Sequence, residues 1–488
     1  MLHRIRLEGL VTGFALCVIL VITVLSASQA RAQVAGATLS GTVTDPSGSA
    51  IVGAQVSILN RATGVERAVV TDSTGFYSVP NLLPGQYDVT VGASGFSSTK
   101  QSDIELTVGA QQVLNVPLKI GEATQTLQVE GLAAQVQLGS SVVSGEVEGT
   151  TVRELPLNGR DWASLATLEP GVATVRAHPQ GTQASRGLGM QMTISGNRPT
   201  QNSFRLDGAI VNDYSNAGPG SVLGQNLGVD AIQEFSVLTS NYSAEYGFTS
   251  GGVINAVTRS GTNGFHGSAF DFLRNDKLDA ANFFNNSKGL PKSPLKQNQF
   301  GASGGWRILR DKLFLFGDYE GVRQSKGTAQ PQFTISNAVR AGRVTNLSNG
   351  LVTTVPIDPT IQKFLALYPV ANGPGRGTGE NANVGQFNWE AVQTTTENFY
   401  TFRADEKFSG KDGIFVTYVR DPSFYLNPIA FDEAKSRTSA YRQAIIVEET
   451  HLLSPTAANT VRVALSRTNG ITNHFDDPSQ TINPAAND

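Results

Sequence analysis

A chain of 488 residues is too long for one hydrophobic core and should divide into two or more domains. Its formal net charge of −3 excludes the marked basic excess that a nucleic-acid surface needs. With 51 glycines and only 16 % charged residues, the composition suits many strands joined by turns better than a helical enzyme.

Arg4 and Arg6 form a basic n-region, and residues 11–25 form an apolar h-region too short to span a bilayer comfortably. Ala30-Arg31-Ala32 offers an A-x-A site, so residues 1–32 are predicted to be a signal peptide cut between Ala32 and Gln33. The alternative is an uncleaved anchor. The only cysteine, Cys17, lies in the h-region and would leave with it; Val18 and Ile19 follow it, which is not the lipoprotein pattern. No other stretch holds about 18 consecutive apolar residues, so an exported chain of this kind could span a membrane only as a closed β-barrel.

Residues 33–120 read as a small β-sandwich. Leu39, Gly41 and Val43 alternate with polar neighbours, as do Val56 and Ile58, and Tyr87, Val89 and Val91. Asp45-Pro46-Ser47-Gly48 is a turn in which Pro presets φ and Gly supplies a positive one. Gly53-Ala54, Thr71-Asp72, Gly75-Phe76-Tyr77 and Leu83-Pro84-Gly85-Gln86-Tyr87 together resemble the carboxypeptidase-regulatory, transthyretin-like sandwich. The likeness implies a fold and no peptidase: a zinc peptidase needs a His/Glu ligand set, and this segment has no histidine.

Residues 121–149 are polar and rich in Gly, Ser and Gln, the composition of a linker. Within them Thr126, Leu127, Gln128, Val129 and Glu130 form a short extended run, which could be the final strand of the sandwich. Residues 150–262 follow as an α+β unit. Leu155, Leu157, Trp162, Leu165 and Leu168 are predicted to line one face of a short helix ending at Glu169-Pro170-Gly171. Arg160 lies in this segment. Then come Ile194-Ser195-Gly196-Asn197-Arg198, Phe204-Arg205-Leu206-Asp207-Gly208, Ile232-Gln233-Glu234-Phe235 and a Ser-Asn-Tyr-Ser-Ala-Glu-Tyr-Gly run at 240–247. Gly251-Gly252 opens an apolar strand at 253–258. A Ser-Gly-Thr-Asn-Gly turn and an aromatic strand at 265–274 complete the series.

These motifs, in this order, resemble the TonB-dependent outer-membrane receptors, most closely the Oar-like members, which carry an extra domain ahead of the plug. The resemblance implies that 150–262 is a plug seated in a barrel lumen, where Arg160, Arg198, Arg205 and Asp207 make plug–barrel contacts or meet ligand. It gives Thr126 to Glu130 a second reading, as a TonB box that pairs by strand addition with a TonB-type energy transducer in the periplasm. It implies outer-membrane lipid around the barrel, a periplasmic sandwich, and an extracellular ligand such as an oligosaccharide, a peptide or a metal chelate. The loops at 182–191 and 212–225 are the candidates to meet that ligand.

From 263 to 488 the chain shows runs of about ten residues with period-two alternation, as an outer-membrane barrel does. Gln297, Gln299 and Ser303 oppose Phe300, Ala302 and Trp306; Thr401, Arg403, Asp405 and Lys407 oppose Tyr400, Phe402 and Ala404; Thr460, Arg462 and Ser466 oppose Val461, Val463 and Leu465. Four mixed runs, at 265–274, 313–324, 414–420 and 441–449, raise the expected count to about seven strands, with one long outer loop from 325 to 396. Plugged transporters have about 22 strands, and an open edge in lipid leaves backbone groups unpaired. The expected fold is therefore mainly β: a sandwich, an α+β plug and the opening strands of an incomplete transmembrane barrel. The run Asn483 to Asp488 has no terminal aromatic. The expectation is an N-terminal fragment or a shortened reading frame, which alone would transport nothing.

No catalytic, cofactor or metal set is predicted. Gly301-Ala302-Ser303-Gly304-Gly305 matches the nucleophile-elbow spacing but lies in an alternating strand instead of a strand-to-helix turn. The Gly-rich run at 373–379 lacks the Lys-Ser/Thr of a phosphate loop. His178, His266, His451 and His474 share no ligand spacing. Two other readings remain: a surface adhesion or structural protein anchored by the same barrel, and an exported hydrolase, which should show a triad or metal set.

Overall fold

The computed structural model describes residues 36–121, 126–129 and 142–476, apart from 156, 158, 177–189, 225, 248, 288–291, 367, 377–381, 430–433 and 455–456. The predicted signal peptide with Ala32 and Gln33, Glu130, most of the linker and residues 182–189 of the predicted loop at 182–191 lie outside the described residues. Among the described residues no helix is long and apolar enough to cross a membrane.

The first unit is a sandwich of two sheets. Its strands are β1 (Ala37–Thr44), β2 (Gln55–Asn60), β3 (Glu66–Val70), β4 (Phe76–Leu82), β5 (Gly85–Gly92), β6 (Ser98–Leu106), β7 (Gln111–Val113), β8 (Val116–Pro117) and β9 (Thr126–Val129). One sheet runs β4-β1-β7 with β8 added to β1, and the other runs β3-β2-β5-β6-β9. Strict alternation in β1 turns Leu39 and Val43 inward, where they meet Val56, Ile58, Tyr77, Val89, Ile104 and Leu106. Gly41 is required there: a Cβ would stand 1.9 Å from the Leu114 carbonyl oxygen. The Asp45 turn closes as its sequence indicates, with the Ser47 and Ser49 N–H groups donating to Asp45 Oδ1 at 2.8 and 2.9 Å. Thr126–Val129 runs parallel to Ser98–Gln101 and forms the sheet's edge.

The second unit has β10 (Val143–Val147), β11 (Val172–Arg176), β12 (Gln191–Ile194), β13 (Ser203–Leu206), β14 (Ala209–Ile210), β15 (Ile232–Ser240) and β16 (Val253–Thr258). Five of them make a mixed sheet in the order β10-β15-β16-β13-β14, and β11 and β12 pair as a hairpin. β16 is buried along its whole length, as a continuous apolar run covered on both faces should be. Phe204, Phe235, Val237 and Ile254 share a core with Trp162 and Leu165.

The single helix predicted around Leu155 to Leu168 is instead two pieces, a helix at Gly149–Glu154 and a 3₁₀ turn at Trp162–Leu168. Leu155, which precedes Pro156 in the sequence, is extended at ψ 136, because a following proline disfavours helical backbone. Trp162 and Leu165 are buried, whereas Leu168 is exposed.

The Gly251-Gly252 pair has a steric cause. A Cβ on Gly252 would lie 2.3 Å from Ile194 Cγ2, and one on Gly251 would lie 2.4 Å from the Gln201 carbonyl oxygen. Gly252→Ala is expected to cost about 1–3 kcal/mol by overpacking against β12. A lowered unfolding midpoint checks this; an unchanged midpoint would mean that β12 gives way freely.

The third unit is a meander of long strands: β17 (His266–Asn275), β18 (Leu295–Leu309) and β19 (Leu313–Ile335). Beyond it come the short β20 (Arg343–Thr345), β21 (Val352–Thr354) and β22 (Gly373–Arg376), followed by β23 (Val384–Lys407), β24 (Asp412–Ile429), β25 (Ala434–Ser454) and β26 (Ala457–Asp476). The sheet order β17-β18-β19-β23-β24-β25-β26, with β22 on β23, is antiparallel throughout and does not close among the described residues. The seven long strands match the seven runs read from the sequence.

The expected long loop is shorter than predicted. β19 and β23 pair up to Ile335↔Val384, so residues 325–335 and 384–396 are ladder and not loop. Those segments are rich in Gln, Thr and Gly and carry little apolar alternation, so the period-two signal fades although the backbone pairing continues. Gly373–Arg376, read as loop, is also a strand.

The sheet is polar on its inner face and apolar on its outer one. Gln299, Asp318, Glu320, Thr401, Arg403, Thr417 and Arg442 are buried, whereas Trp306, Phe402, Val461, Val463 and Leu465 are 46–67 % exposed. Connections at one end of the meander are short, such as 310–312 and 408–411; at the other they are long, 276–294 and 336–383. The sandwich docks at the short-turn end. Asn263 Nδ2 donates to the Thr63 carbonyl at 2.6 Å, Lys407 Nζ to the Glu66 carbonyl at 2.7 Å, and Asn81 Nδ2 to Glu448 at 2.7 Å. A cavity of about 150 Å³ remains between them, bordered by Arg67, Tyr87, Phe314, Lys407 and Phe415.

Candidate functional site

The concentration of buried charge lies where the second unit meets the inner face of the meander. Asp207 and Gly208 form a two-residue hairpin between β13 and β14, both with positive φ (47° and 77°), the geometry that favours Asp-Gly. The Arg462 guanidinium packs against Gly208, with Nη1 2.4 Å from where a Cβ would be, so a side chain there would displace it. The turn aims the Asp207 carboxylate at β23 and β24. It accepts from the Thr258 N–H (2.9 Å), Thr258 Oγ1 (2.7 Å), Thr417 Oγ1 (2.8 Å) and Arg403 Nη1 (3.1 Å). Arg403 is fully buried. Its remaining donors reach Asp405 at 2.7 and 2.9 Å, and the guanidinium lies 4.3 Å from the Phe415 ring centre. Every charge in this cluster is hydrogen-bonded, which is what makes such burial tolerable.

Arg160 forms a second crossing. Its Nη2 donates to Asp230 Oδ2 at 2.6 Å and to Glu320 Oε1 at 3.1 Å, and its guanidinium sits 3.8 Å above the Phe270 ring. Arg205 is buried with its guanidinium 5.0 Å from the Tyr246 ring centre. Arg198 is exposed, and its backbone N–H donates to Gln201 Oε1 at 3.0 Å. The structure therefore brings Arg160 and Asp207 to the meander, buries Arg205 beside Tyr246, and leaves Arg198 at the surface.

The loop at 212–225, expected to face ligand, is largely buried in its described part. Val222 packs against Tyr425 and Ala440, and its N–H donates to Ser423 Oγ at 3.1 Å. Its Gly and Ser residues permit close approach to the strand wall, a role that composition does not separate from an exposed loop.

Several charged groups of this interface escape sequence reasoning. Asp161 caps the 3₁₀ turn through the Ala163 N–H at 3.1 Å and also accepts from the Asn226 N–H at 3.2 Å; burial pushes its carboxyl up to about 7. Glu234 accepts from the Val108 N–H of the sandwich, and burial pushes it up to about 8 against that hydrogen bond. Arg442 Nη1 donates to Asn226 Oδ1 at 2.5 Å. The available signal was a charge at an inward position of an alternating strand, as at Arg403. His451, in contrast to its isolated look in the sequence, meets Asp412 and Glu449 across strands β24 and β25, with ligand atoms within 4.8 Å of one another and the residues half-buried.

A family profile described as an outer membrane beta barrel domain matches residues 257–487, and one described as a carboxypeptidase regulatory-like domain matches residues 38–119. The TonB-dependent transporter Oar of Myxococcus xanthus is 29 % identical over 269 residues, 52 % of this chain and 24 % of the relative; the chain thus spans about a quarter of that relative's length. Among solved structures, the siderophore receptor PirA of Acinetobacter baumannii aligns at 15 % identity over 67 % of this chain and 44 % of its own, with a TM-score of 0.34. Catechol 1,2-dioxygenase from Acinetobacter sp. ADP1 aligns at 13 % identity over 21 % of this chain and 60 % of its own, with a TM-score of 0.16. Overlaps at those scores carry no weight for the fold. The two profile matches cover the sandwich and the meander. The chain therefore joins a carboxypeptidase regulatory-like domain match on its N-terminal side to an outer membrane beta barrel domain match, and in sequence it is similar to the Oar-like TonB-dependent outer-membrane receptors.

Proposed function

We propose that this chain serves TonB-dependent import across the outer membrane, with residues 150–262 as a plug held inside a barrel wall that begins at 263. The observation that carries the reading is the charged interface. Asp207–Arg403 and Arg160–Asp230/Glu320 tie the unit at 142–258 to strands whose opposite face is apolar and exposed. A wall that is wet inside and greasy outside suits lipid on one side and a hydrated, removable stopper on the other. Short turns characterise the periplasmic end of such barrels, so the sandwich docked there is periplasmic.

Residues 126–130 are the segment proposed to be gripped by a periplasmic TonB-type protein. Among the described residues β9 is an edge strand, with one side open to strand addition. The ligand class proposed is an oligosaccharide, a peptide or a metal chelate. Deleting residues 126–130 from the full-length gene is expected to abolish growth on whichever member of a panel of oligosaccharides, peptides and ferric chelates the intact gene supports. Surface binding of that compound should persist. Undiminished growth would remove both the import reading and the assignment of this segment, and would favour an anchored adhesion protein.

A further inference from the structure

Beside the Arg160 crossing lies a group that its arginine does not satisfy. Asp230 follows β14 in the chain, within the 3₁₀ turn Val229–Ala231, whereas Asp318 and Glu320 stand two residues apart on the same inward face of β19. One oxygen of each carboxylate lies within 4.8 Å of the others, and the three residues are 6, 5 and 0 % exposed. Arg160 takes Asp230 Oδ2 and Glu320 Oε1. Arg259, the other nearby cation, donates to the Asp230 backbone carbonyl at 3.5 Å, with its guanidinium 5.6 Å from the Phe316 ring centre. Both oxygens of Asp318 are buried and have no hydrogen-bond partner among the described residues.

An ionised carboxylate stripped of water and left without donors is costly enough that native structures supply a partner. Formal charge points the same way, since three carboxylates face two guanidinium groups. Asp318 offers two oxygens, and Asp230 and Glu320 can add one each. Such an all-oxygen set without imposed octahedral geometry suits Ca²⁺, which accepts six to eight ligands with flexible angles, better than Mg²⁺.

We propose that Asp230, Asp318 and Glu320 form a Ca²⁺ site that bridges the second unit and the barrel wall. The ion supplies Asp318 with the counter-charge it lacks, and backbone or water oxygens complete the shell. Arg160 stays beside the ion, holding Asp230 Oδ2 and bridging both oxygens of Glu320 at 3.1 and 3.5 Å. The site joins two parts of the chain, so occupancy should resist their separation.

The test is calorimetric titration of the full chain in detergent with CaCl₂ after chelator treatment, alongside unfolding midpoints with and without the metal. The expected result is saturable Ca²⁺ binding with a raised midpoint, and a loss of roughly tenfold or more in affinity in both Asp318→Asn and Glu320→Gln. Two variants are used so that a folding failure in one leaves the other to decide. Asp412→Asn, which alters the half-buried Asp412/Glu449/His451 group, should leave this binding intact. Absence of binding at millimolar Ca²⁺, unaltered affinity in the Asp318 and Glu320 variants, or loss only in Asp412→Asn would overturn the assignment. An Asp318→Asn chain that is more stable than the parent and indifferent to Ca²⁺ would overturn it too, since that is the behaviour of a carboxyl held by its own proton.

Discussion

Asp207→Ala should destabilise the chain by about 3–5 kcal/mol, the range seen when one member of a buried ion pair is removed and the other stays. The loss has two sources. Arg403, fully buried on β23, would keep Asp405 but lose the partner at 3.1 Å, and the hydroxyls of Thr258 and Thr417 would lose their shared acceptor. In addition, alanine disfavours the positive φ that Asp207 adopts in its hairpin. Asp207→Asn separates these contributions, because asparagine tolerates the turn and keeps one acceptor oxygen while deleting the charge. Its cost should fall below that of alanine. Pairing Asp207→Asn with Arg403→Met should cost less than the sum of the singles by about 1 kcal/mol or more, the coupling of groups in contact. Denaturant unfolding of the four chains measures this. Additive losses would mean that the two residues do not act as a pair and that the charged interface is not what holds the second unit in place.

Glu234→Gln should weaken a pH dependence that the parent chain shows between about pH 5 and 8. The Glu234 carboxyl is buried where the sandwich meets β15, and burial, with the nearby carboxylates of Glu146, Glu105 and Glu148, pushes it from the ordinary 4.5 up to about 8. The folded form therefore holds this proton more tightly than the unfolded form. The favourable state is fully present below about pH 4.5 and is lost as pH rises through about 8. At neutral pH the penalty is on the order of a few kcal/mol, since each tenfold difference in proton affinity is worth roughly 1.4 kcal/mol. Glutamine keeps an oxygen for the Val108 N–H and cannot ionise, so Glu234→Gln should be more stable than the parent above pH 6 and should show a shallower slope, the remainder coming from groups such as Asp161. Unfolding midpoints from pH 5 to 8.5 check this, and a parallel slope in both chains would exclude Glu234 as its origin.

Sequence reasoning reached the strands more readily than the contacts between them. Period-two alternation was clean in three of the seven long strands, and Val461, Val463 and Leu465 are exposed together as that pattern requires; the other four showed only as mixed strand-like runs. It failed at 325–335, where the pairing continues without an apolar face. Turn chemistry was legible at Asp45 and at Asp207-Gly208, where one residue type fits one backbone geometry. Partners were not. Arg403 was visible as an inward charge, but 196 residues separate it from Asp207, and local spacing cannot encode that meeting. Asp230 and Asp318 were missed for the same reason. Resemblance supplied Arg160 and Arg198 as equals, whereas the structure puts the first under Phe270 and the second at the surface.

The predicted linker at 121–149 contains two strands, β9 and β10, and among the described residues both are outermost members of their sheets. Tension on the chain between Val129 and Val143 would therefore meet rim strands first. β9 rests on four paired residues of β6, and β10 on five of β15, so each can peel away a bond at a time before any central strand is loaded. The next strand inward, β15, carries both Glu234 and the seam to fully buried β16. A pull would thus spend its first increments of work on the periphery, and the second unit would yield from its rim toward its middle.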